Sequence, residues 1–239
     1  MPGHTRDEWK DIVDAIERSV PLYESISEKI SFNLARPLRL RAILRLGSAF
    51  DGWVIDAGIG PGVSTRLLVS QGFKKIIGLD PSRQLLTFAK TELGRTFDPV
   101  VGVGENLPLR TGSIANGLTC FSFRDVMYPK VSIAELARVI QENGTLCIVD
   151  IGKPDNPIIR SLVSFYIHNV MPRLTVALIR RRLRGNPFLM IVPTFDRLVT
   201  NSTLGILASS EFGPTKVEEF MLGALIIVVS KRSRSSNDG

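Results

Sequence analysis

Residues 54–68 read Val-Ile-Asp-Ala-Gly-Ile-Gly-Pro-Gly-Val-Ser-Thr-Arg-Leu-Leu, and this stretch decides the fold class. A short apolar run of strand length meets three alternate glycines and passes at once into a helical pattern. Asp56, Gly58, Gly60 and Gly62 therefore fall as D-x-G-x-G-x-G at a strand-to-helix turn. Glycines let such a turn run tight, and the pattern predicts backbone N–H groups open to a ligand at the helix N-terminus. The nearest rival is the dinucleotide fingerprint G-x-G-x-x-G, but counted from Gly58 its third glycine falls on Val63. An acid two residues before the first glycine would also repel a pyrophosphate, whereas it suits an ammonium or sulfonium.

Downstream, residues 74–80 (KKIIGLD) form a second strand ending at Asp80, where a carboxylate can accept both hydroxyls of a ribose. A helix capped by Ser82 follows, then strands over 99–104 and 116–123, a helix over 131–144 ending at Gly144, and a fifth strand over 145–151. Strands alternating with helices mean βαβ crossovers and a mostly parallel sheet. After Pro154 the pattern is helical to about Leu183, with another helix around Thr194–Ser210. Two last strands, near Thr215–Met221 and Ala224–Ser230, are joined by Leu222-Gly223, which demands an antiparallel hairpin. Upstream, residues from about Asp7 to Leu46 read as helices, with Pro37 opening a further segment.

The 239 residues, 44% hydrophobic and 22% charged, suit one globular domain over 1–239: an N-terminal helical region to about 50, a helical insertion at about 155–190 and a frayed tail from about 233. No unbroken apolar run approaches the roughly 18 residues needed to cross a bilayer, and the first residues are not a secretory signal, so a cytoplasmic location is expected. Cys120 and Cys147 sit in apolar stretches and are expected to pack. Two cysteines and two histidines predict no metal site.

The net charge of +7 is concentrated in two acid-free segments: Lys29, Arg36, Arg39, Arg41 and Arg45, then Arg160, Arg173, Arg180, Arg181, Arg182 and Arg184. In the second, Val176, Ile179 and Leu183 recur as an apolar stripe beside Arg173, Arg180 and Arg184. Such a helix suits peripheral contact with an anionic membrane. Sparse aromatic residues there speak against base stacking.

VIDAGIGPGVSTRLL resembles the first motif of class I S-adenosylmethionine-dependent methyltransferases. GVGENLPLRTGSIANGLTCFSFRDV, the later IVDIGKP and the entry region SVPLYESISEKISFNLARPLRLRAIL narrow the likeness to the ubiquinone/menaquinone biosynthesis C-methyltransferases. The resemblance implies an α/β fold: a seven-stranded, mostly parallel Rossmann-like sheet with an antiparallel C-terminal strand, N-terminal helices and a helical insertion after the fifth strand. Its cofactor is S-adenosyl-L-methionine. Asp56, Gly58, Gly60 and Gly62 would hold the methionine end, Asp80 the ribose, and Glu105 and Asn106 would lie along the adenine. Val103 and Asp125 depart from the family, which has aspartate and asparagine there.

Carbon attack by a quinol ring on a sulfonium methyl needs alignment, exclusion of water and removal of a phenolic proton. Arg124, Asp125 and Tyr23 are the candidate catalytic residues, with Arg124 stabilising a phenolate and Asp125 or a water accepting the proton. On this reading Arg124 serves the chemistry rather than the fold. Tyr166 and His168 are further candidates for the substrate wall. The expected partner is a lipophilic, quinol-like small molecule, with peripheral contact on the inner face of the membrane. The alternatives are a methyltransferase of another small or lipid molecule, of RNA, or a non-catalytic cofactor-binding module. Of these, the RNA reading lacks a base-handling signature after the fourth strand.

Overall fold

The computed structural model describes residues 6–47, 52–179 and 186–233. Three helices open it: α1 (Arg6–Ser19), α2 (Tyr23–Ile30) and α3 (Ala35–Arg45). Pro37 sits inside the first turn of α3 rather than opening it, a place where a missing N–H costs nothing. β1 (Val54–Ala57), α4 (Val63–Ser70), β2 (Ile76–Asp80), α5 (Arg83–Leu93), β3 (Asp98–Val101), β4 (Ile114–Cys120), α6 (Pro129–Val139) and β5 (Ile140–Ile151) follow. Ser82 caps α5 as predicted, its Oγ accepting the Leu85 N–H at 3.0 Å.

With β6 (Thr215–Phe220) and β7 (Leu225–Lys231), the strands form a seven-stranded sheet in the order β3-β2-β1-β4-β5-β7-β6. β7 alone runs antiparallel, lying between β5 and β6. The chain steps from β1 to β2 and β3 on one side, then returns to β4 and β5 on the other. That reversal opens a crevice at the C-terminal ends of the strands. One core layer packs Leu38, Ile43, Leu68, Ile76, Cys120 and Cys147. The other packs Ile55, Leu79, Ile133, Leu136, Ile148 and Phe212. Both cysteines are free and buried, as expected.

Several boundaries differ from the sequence reading: β3 ends at Val101 rather than Gly104 and β4 at Cys120 rather than Phe123, and β5 starts at Ile140 rather than Thr145. α6 ends at Val139, not Gly144, because Ile140 already pairs with Ile114 in the sheet. Gly144 instead passes over the β4 backbone, where a Cβ would lie 2.3 Å from the Ala115 carbonyl oxygen. The hairpin strands end at Phe220 and restart at Leu225, leaving four residues in the connection. The helix expected over 194–210 is two, α9 (Ile191–Arg197) and α10 (Asn201–Phe212). Asn201 ties the break to the end of β5: its N–H donates to the Lys153 carbonyl, and its Oδ1 accepts the Lys153 N–H at 2.7 Å.

The long helical stretch is α7 (Pro157–Phe165), a π-helical turn (Tyr166–Val170) and α8 (Met171–Ile179). Val163, Ile167, Met171, Thr175 and Ile179 are buried at i, i+4 spacing, and the apolar ones pack around Ile26, Phe188, Ile191 and Phe195. Ile158, Leu162, Phe165 and Val176 are exposed. The predicted stripe is therefore split, since Val176 faces solvent and Ile179 faces the core. Its third member, Leu183, lies outside the described residues, as do Arg180, Arg181, Arg182 and Arg184. Pro157–Ile179 is long and apolar enough to cross a bilayer by length and composition. The expectation that no unbroken apolar run reaches that length stands, since Arg160, Ser164, His168, Asn169 and Arg173 interrupt this segment.

Candidate functional site

The turn after β1 places Gly58 and Gly60 at the crevice. Gly58 has φ +77°, and a Cβ there would lie 2.4 Å from Ser122 Oγ. Gly62 (φ +85°) starts α4, and a Cβ would strike Leu93 of α5 at 2.7 Å. The turn's amides are not open, contrary to the sequence reading. Gly58 and Ile59 donate to the Leu79 carbonyl, Gly62 donates to that of Ile59, and Gly60 donates to Asp80 Oδ2 at 2.9 Å. The turn folds back on β2, so any amide offered to a ligand comes from the first residues of α4, Val63 and Ser64, which line the crevice.

Gly58, Gly60, Asp80, Gly102, Val103 and Glu105 line one wall of this crevice of about 100 Å³, and Trp9, Ile16 and Tyr23 the other. Asp80 accepts from Ser82 N–H at 2.9 Å as well as from Gly60, and burial pushes its carboxyl up to about 6. Glu105 accepts the Met127 and Tyr128 N–H groups at 2.7 and 3.0 Å, so its side chain ties down the loop before α6. Asn106 is exposed and outside the lining, its N–H donating to the Val103 carbonyl. Gly62 is also outside the lining, since it serves the packing of α4 on α5. Asp56 lies beneath the turn, where its Oδ2 accepts from Thr65 Oγ1 at 2.7 Å. Burial pushes that carboxyl up to about 6.

A second, apolar cavity of about 300 Å³ adjoins the crevice. Its walls include Ala15, Phe32, Val163, Tyr166, Met171 and Phe188, with Arg124 and Asp125 its charged residues. Ile12, Ile16, Tyr23, Phe121 and Asp125 line both spaces and mark the junction. Tyr23 also stacks at 6.4 Å on Phe188. Tyr166 lines the cavity and donates its hydroxyl to the Ile30 carbonyl at 2.8 Å. His168 does not reach it, lying outside the lining with Nε2 against Asp196 at 3.1 Å.

Arg124 is hydrogen-bonded to Asp150 and also ion-paired with its sequence neighbour Asp125. Its backbone N–H and Nη1 both donate to the Asp150 carboxylate at 2.9 Å, while Asp125 stands 3.6 Å from Nε. Burial opposes the guanidinium charge, but Asp125, Asp150 and Tyr23 together hold its pKa above the usual value. Asp125 is itself buried, and its Oδ2 has no hydrogen-bond partner. Burial pushes its carboxyl up to about 7 despite Arg124, with Asp150 adding to the rise.

The sequence reading missed Asp150, Phe121 and Arg39. Asp150 closes β5 next to β4, a place that topology assigns and a linear motif does not. Arg39 was counted with surface charge but is 2% exposed. The signal was present: Ala35, Leu38, Ala42 and Ile43 put residue 39 on the buried face of α3. Arg41 and Arg45 share the single Glu218 carboxylate at 2.9 and 2.8 Å and Arg39 is buried, so the first basic segment is not one continuous exposed cationic face.

A methyltransferase-domain family model matches residues 55–148. Among curated proteins, the chain is 28% identical over 170 residues to a ubiquinone/menaquinone biosynthesis C-methyltransferase of Syntrophotalea carbinolica, covering 69% of this chain and 71% of the relative. The same-named protein of Citrifermentans bemidjiense is 25% identical, with 64% and 68% covered. Among solved structures, a Thermotoga maritima S-adenosylmethionine-dependent methyltransferase, described as a possible histamine N-methyltransferase, superposes with TM-score 0.61 at 19% identity. It covers 93% of this chain and all of that one. An Aquifex aeolicus S-adenosylmethionine-dependent methyltransferase gives 0.51 at 17%, covering 85% and 97%. The matched domain spans the strands whose ends form the crevice: the chain carries a methyltransferase domain that takes S-adenosylmethionine as cofactor, and it is similar to the ubiquinone/menaquinone biosynthesis C-methyltransferases.

Proposed function

We propose that the enzyme methylates a ring carbon of a quinol-type, isoprenoid-tailed molecule. The observation that carries this reading is the junction: an apolar cavity of about 300 Å³ meets the cofactor crevice at Asp125, Tyr23 and Phe121. The crevice fits S-adenosylmethionine, with an acid at the end of β2, a glycine turn bonded back on β2 and buried polar atoms awaiting partners. Gly58 and Gly60 would flank its methionine part, Asp80 its ribose, and the backbone of 102–105 its adenine. Asp56 and Gly62 would support the turn from behind, and Asn106 would stand at the rim. The cofactor supplies a methyl carbon already activated by a sulfonium.

The chain's own residues would then align the ring, exclude water and handle one proton. The Asp125 carboxylate, with Oδ2 unengaged, takes the phenolic proton. The Arg124 charge, fixed by Asp150, stabilises the phenolate left behind. The ring carbon forms the new C–C bond as the C–S bond breaks, leaving a neutral thioether. Methyl transfer would leave that ring carbon with its hydrogen still attached, and the quinol would be restored when this hydrogen leaves as a proton to water while Asp125 returns its proton to the oxygen. Tyr23 and Phe121 hold the ring edge at the junction.

The tail would enter beside Phe32 and Met221, exposed residues that line the cavity. Tyr166 stacks near Phe32 at 5.5 Å, so the mouth lies next to the exposed apolar face of α7. A helix lying on a lipid surface would bring that mouth to a membrane-held substrate, so we place the enzyme in the cytoplasm against the inner face. The test is to supply labelled S-adenosylmethionine with short-tailed naphthoquinol and benzoquinol and identify C-methyl products by mass spectrometry. Failure on every quinol, with a different species methylated in a lipid extract, overturns the substrate.

A further inference from the structure

Arg39 is a charged group that neither the fold nor the proposed chemistry uses. It lines the cofactor crevice from α3, is 2% exposed, and has no ion-pair partner among the described residues. Its guanidinium lies 4.6 Å above the Phe121 ring, and its Nε has no hydrogen-bond partner. A buried cation held only by a ring face is costly, and such groups are ordinarily paired. Among the described residues that line the crevice it is the single cation, beside Asp80, Glu105 and Asp125.

Topology says what faces it. With adenine at the end of β3 and ribose at β2, the far end of the ligand reaches β1 and β4. Phe121 directly follows β4, and Asp56 on β1 feels the Arg39 charge. The far end is an α-amino acid with a carboxylate, and the Gly58–Gly62 turn has spent its amides internally. We infer that Arg39 binds the carboxylate of the cofactor's methionine moiety, with Phe121 holding the guanidinium in position.

The test separates ligand from fold. Calorimetry compares S-adenosylhomocysteine with 5′-methylthioadenosine, which has the nucleoside and sulfur but no amino acid. In Arg39→Gln, affinity for S-adenosylhomocysteine falls tenfold or more, while that for methylthioadenosine stays within about twofold. Parallel loss for both ligands, or loss for neither, overturns the assignment. Without ligand, Arg39→Gln melts at or above the parent's temperature because an unpaired buried charge is gone; a clear drop with S-adenosylhomocysteine affinity intact makes the residue structural. Should the variant not fold, the parent protein binds decarboxylated S-adenosylmethionine at least tenfold more weakly than S-adenosylmethionine, and equal binding refutes the inference. None of these readouts depends on the methyl acceptor.

Discussion

The crevice and the cavity share a wall but are built in different ways. One wall of the crevice comes from strand ends and tight turns, and its shape depends on backbone: Gly58, which tolerates no Cβ, and an acid bonded to two amides. The cavity is lined by side chains of α1, α2, α7 and α8 and of the turns near 187–191 and 221–225. Any apolar residue of suitable volume can serve there. Backbone constraints leave a motif in the sequence, whereas a wall of interchangeable apolar side chains leaves none. Chemistry sits where the two meet.

Arg124 lines the cavity next to the junction residue Asp125 and gives the largest expected effect. Arg124→Ala leaves Asp150 buried without its cation and should lower unfolding free energy by about 3–5 kcal/mol in urea titrations. This replaces the expectation from sequence that Arg124 would spare the fold; a loss under about 1 kcal/mol would restore it. Next, Asp125→Asn should lower turnover roughly a hundredfold with cofactor binding retained. Parent turnover should rise with pH through about 7, where Asp125 loses its proton, and the variant should lack that limb.

Stability has the opposite sign. The folded chain keeps the Asp125 proton between about pH 4 and 7, a range in which the unfolded chain has lost it. The cofactor-free protein should therefore melt higher at pH 5 than at pH 8, the gain fading as pH rises through about 7, and Asp125→Asn should flatten this slope. On the crevice side, Asp80→Ala should weaken S-adenosylhomocysteine binding tenfold or more by calorimetry, about 1.4 kcal/mol. Unchanged affinity would remove Asp80 from the ribose site.

The smallest effect belongs to the outer face of the cavity. Leu162→Ser with Phe165→Ser should reduce cosedimentation with anionic vesicles by roughly three- to fivefold. Turnover of a short-tailed quinol should hold. Equal sedimentation of parent and variant would detach that face from any lipid role.

The β1 turn and Asp80 were legible because both are short-range consequences of strand order and steric limits. The antiparallel β7 was legible because so short a connection permits nothing else. What stayed hidden depends on distant partners. Asp150 acquires Arg124 only through the β4–β5 pairing, and Arg39 becomes a crevice residue only when α3 packs on the sheet. The open amides predicted for the glycine turn failed for the same reason, since Leu79 and Asp80 of β2 take them.

The position of β7 also shapes the life of the chain before it is folded. β5 and β6 are separated by a slot that the last strand fills, with Thr145 opposite Lys231 and Thr215 opposite Ser230. While the ribosome has yet to release residues 225–231, β5 carries an open edge rich in Val and Ile, the kind of edge that recruits other chains. Pairings this remote in sequence also form slowly. Until β7 has emerged and paired, that edge stays open, and a chain cut near residue 220 is expected to aggregate rather than to persist as a weakened enzyme.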